Sequence, residues 1–212
     1  MQVALKAYGE RGLLAHGLSE LEREGLCRTL LRERPVGCVE YVEGYDTVLF
    51  VFEQSVAVSD LAKWFDGIEL PQTAEAKQNI HELPVIYDGA DLKSVAEQTG
   101  LSESEVIQIH SAPLYTVRTM GFSPGFSYLD GLDPSLHLPR KDSPRTRIEP
   151  GSVAIGGSHA GVYSVASPGG WHLLGRTEVQ LFDARAARGA KPDPKKVFLL
   201  SPGDRICFQP ID

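Results

Sequence analysis

Gly151-Ser152-Val153-Ala154-Ile155-Gly156-Gly157-Ser158-His159-Ala160-Gly161-Val162-Tyr163, with Ser167-Pro168-Gly169-Gly170-Trp171-His172-Leu173-Leu174-Gly175-Arg176-Thr177 soon after, decides how the 212-residue chain is read. Short apolar runs alternate here with glycine and proline turns, and no helical period survives. Working outward, residues 121–175 hold 10 Gly and 6 Pro, whereas residues 1–112 hold 9 Gly and 3 Pro, so the chain contains two architectures. From Pro113 onward the segments Leu114–Met120, Arg147–Ile155, Val162–Val165, Glu178–Phe182, Val197–Leu200 and Arg205–Gln209 read as short strands. Many short strands with frequent turn signals predict a closed or nearly closed β-barrel over 113–212. Ala184–Lys196, with Arg185, Arg188, Lys191, Lys195 and Lys196 around Pro192 and Pro194, reads as a solvated loop.

The first half reads as alternating strands and helices, an α+β pattern. Gln2–Tyr8 alternates like a half-buried strand. Ser19 followed by Glu22 makes a capping box, which predicts a helix from Ser19 to Arg34, stopped by Pro35. Val36–Glu43 and Thr47–Glu53 flank Gly44-Tyr45-Asp46 as a hairpin, Ser59–Phe65 reads as a helix, and Asn79–Tyr87 as a strand whose Pro84 suits an edge. The order β-α-β-β-α-β matches a ferredoxin-like split βαβ domain over residues 1–88. Asp91–Gln98 and Ser102–His110 form two short helices, a helical linker over 89–112. Their spacing mimics a DNA-reading helix-turn-helix, but the second helix carries Glu103 and Glu105 and no Lys or Arg, the wrong sign for phosphates.

Composition excludes several classes. The longest clear apolar run is Val48–Phe52, far below the roughly 18 residues that cross a bilayer, so no membrane span is expected. The first residues lack a basic segment followed by an apolar stretch, so no secretory signal is expected and a cytoplasmic setting is. A net charge of -7 argues against nucleic acid as a partner. Cys27, Cys38 and Cys207 are too few and too scattered for a disulfide framework or a CxxC zinc site.

Two motifs promise chemistry they cannot deliver. Gly121-Phe122-Ser123-Pro124-Gly125 fits the G-x-S-x-G pattern of a nucleophile elbow, yet the residue after the serine must donate a backbone N–H to the oxyanion, and Pro124 has none. Its structural reading is a rigid turn whose Phe122 and Phe126 wall a pocket or pack the barrel. Gly156–Gly161 lacks the following helix of a dinucleotide loop, no GxxxxGK[ST] occurs, and the six histidines show no HExxH pairing, so no metal site is expected. What remains is Arg145, His159, Tyr163, Ser167, Trp171, His172 and Arg176, cationic, imidazole and aromatic groups on glycine-rich backbone. Glycine permits close approach to a ligand and Arg offers a fork of donors to a carboxylate or phosphate; the competing reading is barrel turns with a structural Trp and surface arginines.

The ordered series Gly121-Phe122-Ser123-Pro124-Gly125-Phe126-x-Tyr128-Leu129, Pro144-Arg145, Gly151-Ser152-Val153, Gly161-Val162-Tyr163, Ser167-Pro168-Gly169-Gly170-Trp171, Gly175-Arg176-Thr177 and Pro202-Gly203-Asp204-Arg205-x-x-Phe208 resembles the family of allophanate hydrolase subunit 1, also known as carboxyltransferase subdomain C and D. KipI-type kinase inhibitors and the B-type chains of 5-oxoprolinase belong to the same family. The resemblance implies a small α/β domain followed by a cyclophilin-like barrel. It implies a sister chain of the 5-oxoprolinase C or allophanate hydrolase subunit 2 type, a third component of A type, and ATP with Mg at the level of that complex, which opens 5-oxo-L-proline to L-glutamate. Within that activity Arg145, His159 and Arg176 are expected to be catalytic, the arginines stabilising charge and His159 moving a proton, while Tyr163, Ser167, Trp171 and His172 bind substrate. The alternatives are a KipI-like inhibitor of a histidine kinase and a component of urea or allophanate metabolism. His159 stands where relatives often carry Gln, and the Glu43–Thr47 turn differs from the usual Pro-Ala-Tyr-type segment.

Overall fold

The computed structural model describes residues 3–69, 79–188 and 192–212. The chain divides into two compact units, Met1–Lys77 and Gln78–Asp212.

In the first unit β1 (Ala4–Tyr8), β2 (Gly12–His16), α1 (Glu20–Arg32), β3 (Cys38–Glu43), β4 (Thr47–Phe52) and α2 (Val58–Asp66) build an antiparallel sheet of order β1-β2-β4-β3 with two helices. The Ser19 side chain accepts from the Glu22 backbone N–H while the Glu22 carboxylate accepts from Ser19 N–H at 2.9 Å, so the predicted capping box starts α1. The Ser19 hydroxyl, donating to the same carboxylate at 2.7 Å, and the Ser19 N–H together hold the Glu22 carboxyl below its ordinary range. The helix ends at Arg32 rather than Arg34, consistent with the bias against helical backbone just before Pro35. Strand β4 alternates, burying Val48, Phe50 and Phe52 against Leu26 and Leu30 of α1 and Leu61 and Phe65 of α2. Arg23, fully buried on α1, pairs with Glu43.

The α+β class and the barrel follow the sequence reading, but the ferredoxin-like strand order does not hold. Gly12–His16 is an additional strand, hydrogen-bonded between β1 and β4, and Ile80–Ile86 (β5) belongs to the barrel. The division at 88 therefore moves to Lys77/Gln78, because β5 pairs in parallel along its whole length with the last strand.

The second unit continues with α3 (Leu92–Thr99), α4 (Glu103–Ser111), β6 (Tyr115–Met120), β7 (Ser127–Asp130), β8 (Arg145–Ile148), β9 (Ser152–Gly156), β10 (His159–Val162), β11 (Ser167–Gly169), β12 (His172–Arg176), α5 (Pro194–Val197) and β13 (Arg205–Ile211). Seven strands close a barrel in the order β10-β7-β6-β13-β5-β12-β9, and β8 and β11 form a separate ribbon. Pro84 is tolerated because β12 meets β5 only at Ile86, leaving that side of Pro84 unpaired. The predicted strand Arg147–Ile155 is broken by the Glu149-Pro150-Gly151 turn into β8 and β9, and Val162–Val165 shifts to His159–Val162. Glu178–Phe182 and Val197–Leu200 contribute a single bridge, Phe182 to Phe198. Within the expected loop Ala184–Lys196, Asp193 caps the one-turn α5; residues 189–191, like Gln2 of the first predicted strand, lie outside the described residues.

The two helices are not a linker. Leu92, Val95, Ala96 and Val106 are buried with Leu83, Val85, Val117, Ile206 and Phe208 in the core of the barrel unit. His110, fully buried on α4, stacks on Phe208 at 4.7 Å, and its Nδ1 lies 2.7 Å from the Tyr87 hydroxyl. Burial pushes His110 down to about 3, so it stays neutral near pH 7. No helix among the described residues is long and apolar enough to cross a membrane.

Candidate functional site: an aromatic cavity on a glycine bed

Phe126, Tyr128, Tyr163 and Trp171 converge from the start of β7, β7 itself, the end of β10 and the start of β12. Their rings meet edge to face, with Phe126 5.3 Å from Tyr163 and 5.4 Å from Trp171, and Tyr128 5.8 Å from Trp171. The glycine motifs explain how so much ring volume fits. A Cβ at Gly156 would come 2.7 Å from the Trp171 indole, one at Gly161 would meet both Phe126 and Trp171 at about 3 Å, and one at Gly169 would strike the Tyr163 hydroxyl.

The Gly121–Gly125 turn carries the outer wall. Gly121 N–H donates to Phe126 O, Phe126 N–H to Ser123 O, and the Ser164 hydroxyl to Pro124 O. Within this turn Phe122 has a φ of 69°, the one described non-glycine residue in the left-handed region, and the residue is 59% exposed. A bulky side chain in that region is strained and persists only where the surroundings hold it. Here the ring lies edge-on to Phe126 at 5.5 Å and Tyr163 at 6.4 Å.

Between these rings lies a small cavity, with Arg140 exposed on its lining and its guanidinium 5.8 Å from the centroid of the Trp171 ring. The space open to water centres is about 60 Å³. At about 10–15 Å³ per water that is roughly four to six molecules, each with a liquid share of about 30 Å³. One small ring with a polar substituent fits that space and a nucleotide does not. Burial pushes the Tyr163 phenol up, with Arg140 and Arg145 acting in the opposite sense.

Next to this cavity, Asp91 locks the loop that carries Arg140. Lys141 Nζ donates to Asp91 Oδ1 at 2.7 Å, Arg145 Nη2 to the same oxygen at 2.8 Å, and the Leu173 N–H to Oδ2 at 2.8 Å. Burial alone would raise Asp91, but these hydrogen bonds outweigh it and hold the carboxyl at about 2. The clamp ties the start of α3 to β8, β12 and the segment between β7 and β8.

The expected site residues therefore separate. Tyr163 and Trp171 line the cavity; His159 stands behind it, its ring 6.2 Å from that of Tyr128 and its Nδ1 3.0 Å from Asp130 Oδ1. Arg145 is committed to Asp91, and Arg176 Nε donates to Asp88 Oδ2 at 2.9 Å on the surface. His172 is buried, with Nε2 2.9 Å from Pro139 O, and Ser167 lies on the β8–β11 ribbon. Arg176 instead lines, with Tyr163, an open groove of about 370 Å³, and a neighbouring groove of about 700 Å³ includes Arg185. The cation in each groove sits beside a carboxylate, Asp88 or Asp183, which leaves the aromatic cavity the better anion site. Arg140, Tyr128, Asp91 and Lys141 were not singled out from sequence. A trace of the first was present, a basic pair framed by Pro139 and Pro144.

A mixed α/β chain with a closed seven-stranded barrel has the architecture of carboxyltransferase-type domains. The sequence matches the carboxyltransferase domain, subdomain C and D, over residues 5–191. The chain belongs to that family. It is 43% identical over 157 residues to the B subunit of 5-oxoprolinase from Escherichia coli O157:H7, covering 73% of this chain and 67% of that protein. It is 45% identical over 130 residues to the B subunit of 5-oxoprolinase from Haemophilus influenzae, covering 60% of this chain and 57% of the relative. The solved structure of TTHA0988 superposes with a TM-score of 0.78 at 37% identity, covering 95% of this chain and 40% of that one. This chain thus spans between two fifths and two thirds of these proteins.

Proposed function

We propose that the chain is the B-type component of a multi-component, ATP-dependent 5-oxoprolinase of the cytoplasm. It would work with a C-type sister chain and an A-type chain to open 5-oxo-L-proline to L-glutamate. The observation that carries this reading is the 41–45% identity to three proteins named as the B subunit of 5-oxoprolinase. The cavity supports it, since a five-membered lactam is a flat ring of matching size.

Nucleotide and magnesium do not fit the aromatic cavity as the described residues form it. Among the described residues no group of three His, Cys, Asp or Glu side chains could hold a metal ion, and Arg145 and Arg176 already face carboxylates. The reading therefore assigns ATP to the other components and routes no step through it here. This chain's own residues bind and orient: Trp171 and Tyr163 flank the ring, and the apolar walls exclude water from the amide. His159, paired with Asp130, holds Tyr128 in place from behind. Arg145 acts as a positioning residue, fixing through Asp91 the loop on which Arg140 sits.

Reconstitution tests this directly. The three purified components are expected to form glutamate from 5-oxo-L-proline with matching ATP hydrolysis, and omission of this chain is expected to abolish it. Equal turnover without this chain, or none from an assembled three-component complex, overturns the reading.

A further inference from the structure

We propose that Arg140 is the specificity-determining anchor of the aromatic cavity, binding the carboxylate of a small cyclic acid whose ring lies against Trp171. Four other arginines of the barrel unit have acidic partners: Arg118 with Asp130, Arg145 with Asp91, Arg147 with Glu149 and Arg176 with Asp88. Arg140 has no ion-pair partner among the described residues, and it is the arginine on the cavity lining. Its neighbours on both sides are fixed: Pro139 O lies 2.9 Å from His172 Nε2, and Lys141 is held to Asp91 through Nζ and to Gly170 O through its N–H. A guanidinium held over an indole face keeps its planar fork of donors free at the edge, the geometry that accepts a carboxylate through two parallel hydrogen bonds.

The rest of the lining selects the body of the ligand. Tyr163, Tyr128 and Trp171 offer flat apolar surface, and Gly169 and Gly170 add backbone without side chain. Phe122, strained and exposed, is kept at the rim, where an aromatic ring has no core to fill and a ligand to cover. One anchored anion and a few apolar atoms exhaust the space, so the ligand is a monocarboxylate on a single small ring. Naming that ligand 5-oxo-L-proline rests on the proposed function; the carboxylate anchor does not.

Calorimetric titration separates the two. The probes are 5-oxo-L-proline and 2-pyrrolidinone, the same lactam without its carboxylate, each added to the full chain and to the reconstituted complex. Arg140→Ala is expected to weaken 5-oxo-L-proline about ten- to hundredfold, Arg140→Lys to recover part of that loss, and neither to alter 2-pyrrolidinone. Arg140 is exposed, so both variants are expected to unfold at the wild-type urea midpoint. Undiminished binding of 5-oxo-L-proline by Arg140→Ala, or no binding by either chain or complex, overturns the anchor. If turnover persists with an unchanged KM in Arg140→Ala, the anchor fails while the oxoprolinase reading stands. If no glutamate forms yet 5-oxo-L-proline binds in an Arg140-dependent way, the oxoprolinase reading fails and the anchor stands.

Discussion

The two units each contain a cluster of aromatic rings, and they use it differently. In the first, Phe50 of β4 meets Trp64 and Phe65 of α2 edge to face at 6.1 and 5.9 Å. In the second, Phe126, Tyr128, Tyr163 and Trp171 meet at similar distances and angles. Ring packing alone therefore does not distinguish a core from a site. The first cluster hangs on one regular strand and one regular helix, whose periodic backbones let side chains interdigitate in a buried core. The second rests on turns and on glycines, whose missing Cβ atoms let rings approach the backbone, and it ends at a strained Phe and a cation without a carboxylate. A site arises where packing stops short of closure.

The strongest test of this contrast is Phe50→Ala. Emptying a fully buried ring position is expected to destabilise the first unit by about 3–5 kcal/mol in urea unfolding, while the folded protein binds 5-oxo-L-proline as before. A matching loss of affinity would erase the distinction between the clusters. A smaller effect comes with acid. His110 is held near 3 in the folded barrel against an ordinary 6.5, so the unfolded chain binds a proton that the folded one refuses. Its contribution is complete above about 6.5 and falls by about 1.4 kcal/mol per pH unit on acidification toward 3. The first unit has one histidine, the half-buried His16, so this slope belongs to the barrel. His110→Asn is expected to flatten it in pH-dependent unfolding curves; an unchanged slope would assign it elsewhere. The smallest change is Phe122→Gly, where relief of left-handed strain and added chain entropy nearly cancel, within about 1 kcal/mol. Its thermal midpoint is expected to hold while affinity for the ring carboxylate falls several-fold. A large stability loss would make Phe122 a core residue after all.

What the sequence reveals follows the range of the forces involved. Ser19 with Glu22 and Ser102 with Glu105 are local devices, three residues apart, and both helix starts form as read. Thr47–Phe52 forms as the second arm of the predicted hairpin, although its unbroken apolar run does not itself say which face is buried. Strands β7 and β12 escape because four or five residues embedded among glycines carry too little pattern. The site divides likewise. Trp171, Tyr163 and the Phe122/Phe126 turn are legible by residue type, whereas Arg145 and Arg176 resemble free cations until partners 54 and 88 residues away are seen. Arg140 leaves only a trace, a basic pair between two prolines, since being unpaired is a property of the folded surroundings.

The pairing of β5 with β13 also bears on the order in which the molecule forms. Asn79 and Asp204, 125 residues apart, are hydrogen-bonded beside the first rungs of this parallel ladder. During synthesis the elements of the first unit emerge together and can fold at once, whereas β5 waits with an open edge until β13 leaves the ribosome. Pro84, which lacks an N–H, lies in that waiting strand and blunts it as a template for other chains. The proline that looked like the mark of an edge strand protects one for the interval in which the strand truly is an edge.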